Sequence, residues 1–218
     1  MDGLQVNRRE IFRYLGYGRT EPDQRTADRV EEALAELEKN VTPRYRVREW
    51  PLTVTEEGEI DGGCFQTVSA ALSKNLKECT RLLTFAATLG PGADYLIRRY
   101  ERLEMSRAVI VQAASAAMIE AYCDRVCSVI KEQYEADGWY LRPRFSPGYG
   151  DFPLECQTPL LSGLEAGKHL GIRLTDSLLM VPSKSVSAVM GLSRKPCRCE
   201  VKGCEACEKT ECSYRRQS

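Results

Sequence analysis

The chain has 218 residues, 31 basic and 31 acidic side chains, a formal net charge of +0 and a single histidine. That length buries a sizeable core in one large domain, or in one domain plus an appendage, and the charge balance argues against nucleic acid as the main partner. No apolar run reaches the roughly 18 residues that a membrane span needs, and the segment Met1 to Glu10 has no signal-peptide core, so a soluble, cytoplasmic protein is expected.

Asn7 is placed to cap a short helix carrying Ile11, Phe12, Tyr14 and Leu15 and stopping at Gly16. After a polar link, Pro22 and Asp23 open an amphipathic helix with Ala27, Val30, Ala33, Leu34 and Leu37 at three-and-four spacing, ending near Asn40. From Arg44 the period becomes two. Tyr45, Val47 and Glu49 alternate with Arg44, Arg46, Arg48 and Trp50, and the arginine row reads as the wet face of a strand. A second short strand follows Pro51, and Ser69 to Leu76 reads as helical. Arg81 to Leu89 is a near-continuous apolar run ending at Gly90, which predicts a central strand buried on both faces.

A helix is expected from about Asp94 to Glu104. Ser106 then caps a longer one, rich in alanine through its first half, that runs to Gly138 and forms a buried spine. The stretch Arg144-Phe145-Ser146-Pro147-Gly148-Tyr149-Gly150-Asp151-Phe152-Pro153-Leu154-Glu155-Cys156 cannot be helical. Pro147 and Pro153 fix φ and Gly148 and Gly150 permit positive φ, so main-chain groups are aimed beside a guanidinium and aromatic faces. Composition fits a ligand cradle and an ordinary surface turn equally well. Beyond it, a helix from Pro159 to Leu170 and a hairpin of Ser177–Val181 with Ser185–Leu192 are expected. Strands and helices mix without a βαβ repeat, which predicts an α+β fold with an antiparallel meander sheet packed against long helices.

Arg144-Phe-Ser-Pro-Gly148-Tyr149 matches an R-x-x-x-G-Y pattern. Pro153 and Glu155 come next, then Glu165-Ala-Gly-Lys-His169-Leu-Gly-Ile-Arg-Leu-Thr175-Asp-Ser177, then Pro182-Ser-Lys-Ser185-Val186-Ser187. In this order the segment resembles the activation (reactivation) domain of cobalamin (vitamin B12)-dependent methionine synthase, in a compact stand-alone form. The resemblance implies an activation-domain fold over residues 1–192, with 193–218 as a Cys-rich tail. It also implies S-adenosylmethionine as ligand and cobalamin carried by a partner, a methionine synthase or other corrinoid protein. An electron donor such as flavodoxin completes the reductive methylation of cob(II)alamin to methylcobalamin. Arg144 would pair the ligand carboxylate, with Ser146, Gly148 and Tyr149 beside it; Glu120 and Glu155 are further candidates, Glu120 toward the amino group. Ala188-Val189-Met190 stand where larger members carry an aromatic pair, so corrinoid contacts from that region are not implied.

Ten cysteines fall into two groups. Cys64, Cys79, Cys123, Cys127 and Cys156 are scattered through apolar contexts; Cys123 and Cys127 share a helix face and read as small buried residues. Cys197, Cys199, Cys204, Cys207 and Cys212 crowd the end at spacings that suit zinc or an iron–sulfur cluster. A metal-binding redox or interaction module that does not take S-adenosylmethionine is therefore the competing reading. His169 is expected to bond the last carbonyls of its helix rather than to ligate cobalt.

Overall fold

The computed structural model describes residues 4–18 and 20–196. Two N-terminal helices form as their caps require. Asn7 accepts from the Arg9 N–H at the start of α1 (Arg8–Tyr14), and Asp23 from the Thr26 N–H at the start of α2 (Gln24–Asn40). The chain then runs through β1 (Arg44–Pro51), β2 (Thr53–Val54), β3 (Glu59–Asp61), β4 (Gln66–Val68), α3 (Ala70–Asn75), β5 (Arg81–Thr88), α4 (Gly92–Leu103) and α5 (Met105–Ala136). It finishes with β6 (Tyr140–Leu141), α6 (Gln157–Gly163), α7 (Ala166–Leu170), β7 (Arg173–Leu174), β8 (Met180–Val181) and β9 (Ser185–Ser193). The expected α+β class holds.

The main sheet has the order β1-β5-β9-β6 and is antiparallel throughout. Only the small sheet β2-β3-β4 links successive strands as a meander; the main sheet draws its neighbours from distant parts of the chain. β5 lies between β1 and β9 and is buried from Leu82 to Thr88. Its alternation divides the interior into two cores. Leu83, Phe85 and Ala87 pack with α1, α2, α4 and α5 on one side. Leu82 and Ala86 face Leu72, Phe152, Leu160 and Leu170 on the other. The small sheets and α3, α6 and α7 belong to this second layer.

Four local expectations are corrected. β8 pairs with β7, not with β9, which instead joins β5 and β6. Nearly every residue of β9 is buried, so it needs cover on both faces, and a two-stranded hairpin at the surface does not supply that. The helix expected over Pro159–Leu170 is two helices, broken where Glu165 takes a left-handed conformation (φ 51°). The arginine row of β1 is not simply solvated. Arg48 donates to the Gly163 carbonyl at 3.0 Å and stacks on Trp50, while Arg44 makes longer contacts of 3.4 and 3.5 Å to the carbonyls of His169 and Leu170. The ends of α6 and α7 leave carbonyls without helical partners, and guanidiniums are drawn to them. α5 also begins slightly earlier than Ser106, with Glu104 as its N-terminal flank and no side-chain cap.

α5 spans 32 residues, about 48 Å at 1.5 Å per residue. Its Ala108, Ala113, Ala114 and Ala117 are buried, and this small-residue face lets the helix approach its neighbours closely. Ala188, Val189 and Met190 of β9 are fully buried, so none of them is available to a corrinoid.

Gly92 tests how tightly α4 is docked. A Cβ there would lie 1.8 Å from the Asn40 carbonyl oxygen at the end of α2, so Gly92→Ala is expected to cost about 3 kcal/mol or more in urea unfolding. Gly167→Ala is the control. Its nearest neighbour would be 3.6 Å away, and the substitution should be neutral or stabilise by up to about 1 kcal/mol.

Candidate functional site

The Arg144 loop is held at both ends. At its start, Phe145 exchanges main-chain hydrogen bonds of 2.9 Å with Val189 of β9, extending the sheet past β6. Beyond that bridge the chain folds back on itself. Tyr149 N–H donates to the Ser146 carbonyl at 3.1 Å, Phe152 N–H to the Tyr149 carbonyl at 3.1 Å, and Gly148 N–H to the Phe152 carbonyl at 2.8 Å. Gly148 has φ 85°, a conformation that favours glycine. Phe152 is buried, and Phe145 meets Tyr149 edge-on at 5.4 Å, leaving the Tyr149 ring about half exposed (56 %).

At its far end the loop is clamped by Asp151, a residue the sequence did not single out. Its carboxylate accepts from the Ser69 hydroxyl at 2.5 Å and from the Ala70 and Ala71 N–H groups at 2.8 and 3.1 Å. Ser69 itself caps α3 through the Leu72 N–H. One carboxylate thus satisfies two orphan donors of a helix far away in sequence. No local pattern announces this, because Ser69 and Asp151 are separated by 82 residues.

Arg144 points at α5. Its Nη2 donates to Asp124 Oδ1 at 2.7 Å and to Glu120 Oε2 at 3.2 Å, and its side chain is mostly buried. Both bonds use the same terminal nitrogen, so the rest of the planar fork is not committed to these carboxylates. Burial works against the charge of Arg144, but the neighbouring carboxylates of Glu120 and Asp124 favour it, and the guanidinium stays cationic. Of the candidate residues, the structure brings together Arg144 and Glu120 and places Ser146, Gly148 and Tyr149 in the loop that follows. Glu155 is exposed on the short 3-10 turn Leu154–Cys156. Asp124 was missed, although its position one helical turn after Glu120 is a readable signal that both face one neighbour.

Cys123 and Cys127 lie beside this guanidinium. Burial raises both thiols, Cys127 to about 11, so they are protonated near neutrality and act as packing groups. Cys127 rests 3.7 Å from the Met190 sulfur.

The later motif segments form a brace behind the loop. Gln157 accepts from the Ser187 hydroxyl at 3.0 Å and donates to the Leu178 carbonyl at 2.7 Å. Thr175 binds Ser177 and the Leu179 N–H, each at 3.0 Å. The peptide bond before Pro182 is cis, Ser183 bonds Asp94 on α4, and Ser185 donates to the Pro182 carbonyl and pairs with the Thr88 hydroxyl. His169 faces Glu165 at 3.5 Å, and the carbonyl it leaves at the end of α7 is met by Arg44. The five tail cysteines, Cys197, Cys199, Cys204, Cys207 and Cys212, lie outside the described residues. Among the described residues no three His, Cys, Asp or Glu side chains are grouped to hold a metal, and no helix is long and apolar enough to cross a membrane.

Comparison with known families decides what this loop belongs to. The model of the vitamin B12-dependent methionine synthase activation domain matches residues 71–211, well over half of the chain. The chain belongs to that family. The crystal structure of the MetH reactivation domain bound to AdoHcy resembles this activation domain with a TM-score of 0.59 and 22% sequence identity. The match covers 77% of this chain and 64% of that one, so the present chain spans less than two thirds of its solved relative, and at that identity the likeness establishes the fold. No curated protein matches.

Removing the Asp151 clamp should loosen the activation-domain loop. Its bonds hold the carboxyl below the usual carboxylate range, the Ser69 hydroxyl contributing most. The clamp therefore stabilises the fold at pH values above the ordinary aspartate pKa, and its contribution is lost as pH falls through the lowered folded value. In Asp151→Ala, hydrogen exchange at the Ala70 and Ala71 amides should accelerate roughly tenfold at neutral pH. The difference from wild type should disappear on acidification; unchanged exchange would remove the clamp from the account.

Proposed function

We propose that the protein binds S-adenosylmethionine between Arg144–Tyr149 and α5, and presents the methyl group to a corrinoid carried by a separate cobalamin-dependent methionine synthase or related corrinoid methyltransferase. One observation carries the reading: in a member of this family, a mostly buried guanidinium keeps part of its fork uncommitted beside a glycine-rich loop and an exposed tyrosine. A carboxylate paired with such a fork is bound bidentately, the stronger and more directional arrangement. Glu120 and Asp124 then face the cationic amino group of the same ligand, so the amino-acid moiety matches the site charge for charge. Tyr149 offers a ring for the adenine or the sulfonium. The related reactivation domain was solved with AdoHcy, the demethylated form of this ligand, which supports the assignment.

The chemistry asked of the chain is placement. A corrinoid supplied by the partner and reduced by one electron from a donor such as flavodoxin would be the methyl acceptor, and S-adenosylhomocysteine would be the product this chain releases. The protein's share is to hold the sulfonium in line and keep water away, and it needs no acid–base pair of its own. The spacing of Cys197, Cys199, Cys204, Cys207 and Cys212 additionally supports a zinc or iron–sulfur site in the tail. Metal analysis with visible spectra after anaerobic purification is expected to find about one site per chain; a colourless, metal-free protein removes that part of the proposal.

Calorimetry tests the binding site directly. Arg144→Ala should weaken S-adenosylmethionine binding by about 100-fold, the equivalent of roughly 2.7 kcal/mol for a charge-assisted pair. Asp124→Ala removes the carboxylate closest to Arg144, which in the bound state faces the ligand's amino group, and should weaken binding severalfold. Binding that is equal in wild type and Arg144→Ala would refute the carboxylate assignment. Methylcobalamin formation with a cob(II)alamin-loaded partner, reductant and S-adenosylmethionine tests the action in trans.

A further inference from the structure

A second cationic site lies at the opposite edge of the main sheet. β1 is an edge strand, and three consecutive residues, Arg44, Tyr45 and Arg46, line an open cleft of about 400 Å³ whose other walls include Tyr122 of α5 and His169 of α7. Successive side chains of a strand point to opposite faces, so a cleft lined by all three wraps the free edge of β1. It is separate from the Arg144 loop. That loop is anchored to β9, two strands away across β5, which is on the order of 10 Å in the sheet direction alone.

The charges here are only loosely satisfied. Arg46, His169 and Lys168 share a single carboxylate, Glu165, at 3.6, 3.5 and 3.8 Å. Charge-assisted hydrogen bonds normally close to about 2.7–2.9 Å, so none of these is a formed bidentate pair. Arg44 reaches two carbonyl oxygens at 3.4 and 3.5 Å and faces no carboxylate in those contacts. The Arg46 Nε is shielded from solvent and has no hydrogen-bond partner. A chain of zero net charge thus concentrates two guanidiniums, an ammonium and its only imidazole around one acid. Beside them Tyr45 and Tyr122 meet edge-on with centroids 6.5 Å apart, giving the cleft an aromatic wall. Arg44 already covers the last carbonyls of α7, so the negative end of this five-residue helix is masked where the cleft opens.

We propose that this cleft is a second ligand site, taking a small molecule that joins a phosphate or carboxylate group to a planar ring. Arg44 and Arg46 bind the anion, His169 lies at its side, and the ring packs on Tyr45 and Tyr122. The site does not depend on S-adenosylmethionine binding at Arg144, and the two are tested independently.

His169 is the only histidine, so its imidazole C–H resonances are a built-in reporter that needs no assignment. Titrating the full chain with phenyl phosphate, benzoate and inorganic phosphate at low ionic strength should move these resonances saturably. Dissociation constants in roughly the millimolar range or tighter are expected. The stronger of phenyl phosphate and benzoate identifies the anion class, and tighter binding of phenyl phosphate than of inorganic phosphate supports the aromatic wall. Arg44→Gln combined with Arg46→Gln should weaken the response at least about tenfold, while Arg144→Ala leaves it unchanged. The single variant Arg44→Gln, at an exposed position, serves if the double variant does not fold. A linear response without saturation, or one that survives the arginine substitutions, overturns the proposal. Equal affinity for phenyl phosphate and inorganic phosphate overturns its aromatic half.

Discussion

Everything in this fold depends on β5 and β9 being apolar on both faces. Leu82, Leu83, Phe85, Ala86 and Ala87 of β5 and Ala188, Val189 and Met190 of β9 are at most 1% exposed. At about 1.5–3 kcal/mol for each large side chain removed from water, no arrangement leaving one face open is competitive. Two separate cores follow: α1, α2, α4 and α5 close one side of the sheet, and the small sheets with α3, α6 and α7 close the other. The Arg144 loop lies where it does because of the same constraint. β6 covers only the end of β9, and Phe145 continues the edge by bridging Val189, which delivers Arg144 to the flank of α5.

α5 is both structural spine and the wall that faces Arg144. Its buried alanines bring it close to the sheet, and the turn carrying Glu120, Cys123, Asp124 and Cys127 is left beside the loop. Cys123 is fully buried beneath the guanidinium while Asp124 stays largely exposed. A single guanidinium therefore sits between a dry floor and two carboxylates. The dry floor strengthens charge interactions at Arg144, and the exposed carboxylates keep them exchangeable. This balance suits the proposed zwitterionic ligand, whose own carboxylate and amino group replace the internal pairing without leaving a charge unpaired.

Much of the fold was legible in the sequence because local periodicity and burial agreed. The helix starts at Asn7 and Asp23, the doubly buried strand at Arg81–Leu89 and the long alanine-rich helix before Gly138 all follow from spacing and capping chemistry. The misread hairpin has a definite cause. Val181 and Ser185 are adjacent strand ends around a proline turn, and local pattern favours pairing them; the burial of all of β9 overrides it. The arginine row misled for a similar reason, since alternation identifies a face but not the helix ends packed over it.

The sequence by itself determined the family and the class of fold, and it singled out Arg144, Gly148 and Tyr149 as candidates, because ordered motif residues and two-faced apolar strands are properties of the chain in one dimension. Only the tertiary structure decided that Arg144 meets Glu120 and Asp124, that Asp151 holds the loop to α3, and that Arg44, Arg46 and His169 converge at the far edge of the sheet. Each of these joins residues from different elements, from 20 to 125 positions apart. Such contacts are fixed by how the two cores close around β5 and β9, and that closure leaves no mark in the local pattern of any one segment.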